Sequence, residues 1–176
     1  MKTEVERMLE SIERNRIDKI TYYLDIAETV SKRSTCLKRH YGAIIVKNSE
    51  IISTGYNGAA KGVVECCSNG RCLRNELGIK HGERYELCQA VHSEANAIIQ
   101  GTASEMEGAT LYLAGFENGK VIKAIPCMMC RRMILNARID KVIATTGDED
   151  EMFTTSAEEL RIKENEEYNK LLASNK

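Results

Sequence analysis

The chain carries almost no net charge: its 176 residues hold 25 Lys and Arg against 26 Asp and Glu, a formal balance of −1. With both signs mixed along the sequence, there is no broad basic face for a nucleic-acid backbone and none for an anionic membrane surface. No apolar stretch is long enough to span a bilayer. Met1 to Glu10 alternate charged and apolar groups and lack the continuous apolar core of a secretory signal. Internal repeats and low-complexity segments are also missing. These absences point to a cytoplasmic protein that acts on a small soluble molecule.

At this length one α/β domain over 1–176 is expected, with room for a real core but not for two catalytic domains. Seven cysteines would suggest disulfides in a small secreted protein. In a chain of this size without an export signal, cysteines more often bind metal or do chemistry, the alternative being that some are small buried apolar residues.

Apolar residues recur at helical spacing at Val5, Met8, Leu9 and Ile12, predicting a first helix over 1–15. They do so again at Ile20, Tyr23, Leu24, Ala27 and Val30 after Asp18, a candidate N-cap. Ala43 to Val46 and Ile51 to Thr54 flank the polar turn Lys47 to Glu50, which reads as a β-hairpin. From Asn57 to about Cys88 periodicity fades, and a loop of that length is usually functional or cross-linked. Glu94 to Gln100 reads as a helix and Thr110 to Ala114 as a strand. Cys127 to Asn136, behind the chain's single proline Pro126, reads as a helix, Lys141 to Ala144 as a strand, and 155–174 as a last, largely exposed helix. The alternation from 51 to 144 implies parallel strands joined by crossovers, with the hairpin adding an antiparallel edge. A mixed central sheet between helices, a three-layer α/β/α fold, is the expected result.

Two segments carry chemistry. Pro126-Cys127-Met128-Met129-Cys130 sets two thiols at i and i+3 on one helix face, at an N-terminus whose dipole favours the metal-binding thiolate. Val91-His92-Ser93-Glu94 supplies an imidazole and, two residues on, a carboxylate. One His and two Cys make three zinc ligands, and the vacant fourth position is what separates a catalytic zinc from a closed structural one. Glu94 is not needed as a ligand and is free to move a proton. A structural zinc, or the same fold without turnover, is the competing reading. His-x-Glu followed by Pro-Cys-x-x-Cys is the signature of zinc nucleobase deaminases.

With these residues in place the chain resembles the cytidine and deoxycytidylate deaminase family, most of all its deoxycytidylate (dCMP) branch. The likeness runs from about Ile20 to Thr146 and includes Cys36-Leu37-Lys38-Arg39-His40-Tyr41-Gly42-Ala43, Ser53-Thr54-Gly55-Tyr56-Asn57-Gly58 and Ile134-Leu135-Asn136-Ala137-Arg138-Ile139-Asp140-Lys141-Val142. The resemblance implies that Asn57 contacts the sugar or base of the nucleotide, against the plainer reading of a turn asparagine with a backbone role. It implies a second, non-catalytic zinc on Cys36, Cys66, Cys72 and Cys88, with Cys67 and His81 as substitutes and free or buried thiols as the alternative. It also implies dCMP as substrate, dUMP and ammonia as products for thymidylate synthesis, and a homo-oligomer. A tRNA adenosine deaminase would call for a positive surface that this chain lacks. Lys61, Arg71, Arg74, Lys80 and Arg84 give the 57–91 loop a basic character suited to one phosphate or simply to solvation, while Tyr56 and Tyr85 read as packing or rim groups. The chain departs from the family pattern at Ser93, where alanine is usual, at Ala60, where proline is common, and over 115–125, which is longer than the usual connection.

Overall fold

Ala43-Ile44-Ile45-Val46 is apolar at every position, and such a run is stable as a strand only with cover on both faces. That is where the chain places it. The computed structural model describes residues 3–8, 16–80, 82–148 and 151–174. Within them α1 (Lys19–Ser31) leads into β1 (Arg39–Lys47), β2 (Glu50–Tyr56) and the short β3 (Gly58–Ala59). After α2 (Cys66–Asn69), α3 (Leu73–Glu76) and β4 (Ala90–Val91) come α4 (Ser93–Gln100), α5 (Ala103–Met106), β5 (Thr110–Glu117) and β6 (Lys120–Ile122). The chain continues through α6 (Met128–Asn136), β7 (Lys141–Thr145), β8 (Met152–Ser156) and α7 (Ala157–Ser174).

The main sheet runs β2-β1-β5-β7-β8, with β6 paired to β5. Strands β5 and β7 are parallel, and the β1–β2, β1–β5, β5–β6 and β7–β8 pairs are antiparallel. Side chains alternate across the pleat. Ala43, Ile45, Leu111, Leu113, Val142 and Ala144 face one way, into a core closed by Ala97 of α4, Met106 of α5, Ile134 of α6 and Leu160 of α7. Ile44, Val46, Tyr112, Ala114 and Ile143 face the other way, against Tyr23 and Ala27 of α1. Helices therefore cover both faces of a mixed sheet, as expected.

Several expectations need correction. The hairpin does not simply add an edge: β2 is the edge, and β1 lies inside the sheet between β2 and β5. The 115–124 stretch, read as an insertion, extends β5 and folds back as β6, turning at Asn118 and Gly119, both with positive φ. Strand β8, which the sequence did not suggest, precedes the last helix; that helix is largely exposed, as expected, and buries Leu160 and Glu164. Of the expected first helix, residues 4–8 are helical and 9–15 lie outside the described residues.

Local chemistry explains the joints. Asp18 caps α1, its side chain accepting from the backbone N–H of Ile20 and Thr21. Asn48 and Ser49 both take positive φ in the β1–β2 turn, matching the twist of a two-residue hairpin. Gly55 permits the contact that matters most for the site: a Cβ there would lie 2.3 Å from both Ser93 O and Ala97 N, so α4 rests directly on β2.

Candidate active site

Two helix starts meet near the carboxyl ends of β2 and β7, where Asn96 of α4 reaches Tyr56 and Ala124, ahead of α6, donates its N–H to Thr145 O. His92 is the N-cap of α4 and Cys127 the N-cap of α6, both with extended backbone. The α6 helix thus begins one residue later than expected, with Pro126 just ahead of the cap. Helix α4 is pinned to β2 by Ser53 Oγ donating to Ala97 O at 2.8 Å and Asn96 Nδ2 donating to Tyr56 O at 2.7 Å. These contacts fix where the His92–Glu94 turn points.

His92 Nδ1 lies 3.5 Å from Cys127 Sγ and 3.4 Å from Cys130 Sγ, and the three donor atoms fall within 4.8 Å of one another. Tetrahedral zinc with ordinary Zn–N and Zn–S bonds separates such ligands by about 3.6 Å. The donor set and its spacing therefore fit a zinc ion. The hydrogen bond from Cys130, with that of His92, pulls the Cys127 thiol down to about 3. Cys130, as donor to that thiolate and buried, is held far above its ordinary value. Cys127 in turn raises the His92 pKa, against the effect of burial.

Glu94 is 5% exposed, and burial pushes its carboxyl up. Raising the pKa brings a carboxyl closer to the range in which it both accepts and returns a proton. Ser93, fully buried beside it, donates through Oγ to Glu94 Oε2 at 3.0 Å.

His92, Glu94 and Cys127 line a cavity of about 490 Å³. Tyr41, Leu113, Ile122 and Ile125 supply apolar wall, while Lys38, Arg39, Arg74 and Lys123 supply cationic groups. Of the basic loop residues singled out in the sequence, Arg74 reaches this cavity. Arg71 instead pairs with Glu76 and Arg84 with Glu86, both at the exposed surface. Lys38, Arg39 and Lys123 escape a reading of the loop alone because β1 and the β6 connection bring them in. Tyr85 is more than a rim group: its ring and that of His92 meet at a near right angle with centroids 5.0 Å apart, and the Arg74 guanidinium lies over the Tyr85 ring at 4.8 Å.

Asn57 also lines the cavity, but both ends of its amide are engaged by β1. Oδ1 accepts from Tyr41 N and Nδ2 donates to Arg39 O, each at 2.8 Å. Cys36, Cys66, Cys72 and Cys88 are partly buried. Burial, followed by the neighbouring sulfurs of Cys72, Cys36 and Cys88, raises the Cys66 thiol. Among the described residues no three of these sulfurs approach within 4.8 Å of one another. His81, a suggested substitute, lies outside the described residues.

A mixed sheet whose helix starts bring one His, one Glu and two Cys together beside one cavity defines a class. The sequence model of the cytidine and deoxycytidylate deaminase zinc-binding region matches residues 17–146, and the chain belongs to that family. Within it, the chain resembles deoxycytidylate deaminases. That of Mycobacterium phage D29 is 33% identical over 131 residues, covering 73% of this chain and 95% of the relative. The Schizosaccharomyces pombe deoxycytidylate deaminase is 29% identical over 128 residues, 72% of this chain, and the match spans 37% of that longer protein. Among solved structures, the dCMP deaminase of cyanophage S-TIM5 in complex with dCMP and dUMP aligns with a TM-score of 0.51 at 25% identity, covering 73% of this chain and 83% of the other. No helix among the described residues is long and apolar enough to cross a membrane.

Proposed function

We propose that this chain is a zinc-dependent deaminase converting dCMP to dUMP and ammonia, within a single catalytic domain. The observation that carries the reading is the buried Glu94 beside the His92–Cys127–Cys130 donor set, on a cavity with both apolar and cationic walls. A protein that merely bound a nucleotide would have no physical need for a buried carboxyl beside a three-ligand zinc set.

A zinc ion held by His92, Cys127 and Cys130 would leave one position to water and lower the pKa of that water toward about 7. Glu94 takes a proton from the attacking water and delivers it to ring N3 as the oxygen adds to C4 of the cytosine. The same carboxyl then carries the remaining hydroxyl proton to the 4-amino group. The C4–N bond breaks, ammonia leaves and the uracil carbonyl forms. Tyr41, Leu113 and Ile125 exclude water from the ring, and Lys38, Arg39, Arg74 and Lys123 favour a substrate bearing one phosphate. We extend the proposal to a second, structural zinc on Cys36, Cys66, Cys72 and Cys88, with Cys67 or His81 able to replace one ligand. What supports it is that Cys72, Cys36 and Cys88 are near enough to Cys66 to raise its thiol pKa, after the effect of burial.

Incubating the zinc-loaded protein with dCMP, dCTP, cytidine and adenosine while following ammonia release tests the reading. Turnover is expected with dCMP above the other three. Absence of turnover with every substrate overturns it.

A further inference from the structure

Ser93 occupies a position where the family pattern has alanine, and its hydroxyl is fully buried. Inside a helix a serine hydroxyl ordinarily returns to the carbonyl four residues earlier. Ser93 is the first residue of α4, so that carbonyl, on Gln89, lies outside the helix. The hydroxyl turns forward instead and donates to Glu94 Oε2 at 3.0 Å. Consecutive residues do not normally face each other on a helix, so this bond holds the Glu94 side chain back toward the helix start. His92, the N-cap, lies in that direction.

We propose that Ser93 is a positioning residue that fixes the Glu94 carboxyl in its working orientation. The hydroxyl commits one carboxyl oxygen to the protein, so the torsions of Glu94 are set before substrate arrives. Without it, the carboxyl shares its time among rotamers of which only some reach the attacking water. A group acting this way changes the chemical step and leaves binding of the nucleotide alone. The backbone of Ser93 cannot easily adjust in compensation, because its carbonyl is pressed against Gly55 of β2. Alanine at this position removes the hydroxyl without adding bulk.

The proposal rests on the deaminase reading, and one experiment separates their failures. Parent and Ser93→Ala proteins are compared for zinc content, kcat and KM with dCMP, and crystal structures of both are solved. The expected result is equal zinc, unchanged KM, a kcat lowered about tenfold, the scale of one hydrogen bond to a charged group, and a Glu94 carboxyl that is displaced or split in the variant. A kcat within twofold of the parent, or a carboxyl that stays in place, overturns the role of Ser93 while leaving the deaminase reading intact. A zinc-loaded parent that releases no ammonia overturns both.

Discussion

At the scale of single residues, the cluster of His92, Cys127 and Cys130 was legible because each half obeys a local rule. Two thiols at i and i+3 share a helix face wherever that helix sits, and His-x-Glu places its carboxyl within a turn of the imidazole. That the halves meet is a long-range fact, which only the combination of the two motifs suggested. Asn57 illustrates the opposite case. A contact with the nucleotide was expected of it, with a backbone role as the alternative; both ends of its amide are bonded to the β1 backbone, and no local pattern reveals which strand lies beside a turn. Glu94 carries the sharpest test at this scale. Exchanging its carboxyl for an amide preserves size and removes the ability to accept a proton. Glu94→Gln should keep its zinc, by metal analysis, while turnover falls on the order of 10³-fold. Activity near the parent level would remove Glu94 from the role of proton carrier.

At the scale of elements, the longer helices and the hairpin were legible in the sequence, whereas the one-turn helices α2, α3 and α5 and the strand order were not. The unbroken apolar run of β1 signals a strand covered on both faces and so speaks for an interior position, a cue that the edge assignment passed over. Strand β8 stayed hidden because Met152-Phe153-Thr154-Thr155-Ser156 buries only Thr155, so it shows no continuous apolar run. The last helix is solvated over most of its length, as its many charges suggest, but its inner contacts were not legible: Arg131 of α6, 4% exposed, donates through Nε to Glu164 of α7 at 2.6 Å and also pairs with Glu167, while Arg132 reaches Glu164 at 2.9 Å. Charges that appear superfluous along one helix are completed by another. Removing one partner of a buried pair strands the other in low dielectric. Arg131→Ala should therefore destabilise the protein by about 3 kcal/mol, read from the urea midpoint at constant m-value. A loss of under about 0.5 kcal/mol would show that Arg132 and solvent satisfy Glu164 without it.

At the scale of the whole molecule, the cysteine-rich segment stands apart from the sheet. Its short elements, α2, α3 and the Tyr85–Leu87 turn, contribute no residue to either core cluster. Such a segment needs another source of order, and a metal tying Cys36 beside β1 to Cys66, Cys72 and Cys88 would provide one. Metal analysis of the intact protein should find close to two zinc ions per chain. Cys72→Ser should lower the count to about one and make the 57–91 segment more susceptible to limited proteolysis. A count of one in the parent would dispose of the loop site and leave the His92 cluster as the single metal centre.

The distance along the chain between the two halves of that centre also sets an order of events during synthesis. His92 and Cys127 are 35 residues apart. At ribosomal rates of about 5–20 residues per second, roughly 2–7 s pass between the appearance of one and the other. Cys36, Cys66, Cys67, Cys72 and Cys88 all emerge earlier still. A nascent chain thus presents the loop thiols to metal first. The His92–Cys127–Cys130 donor set is complete only once Cys130 has followed, so the loop has its thiols in place before the cavity's zinc set has all of its own.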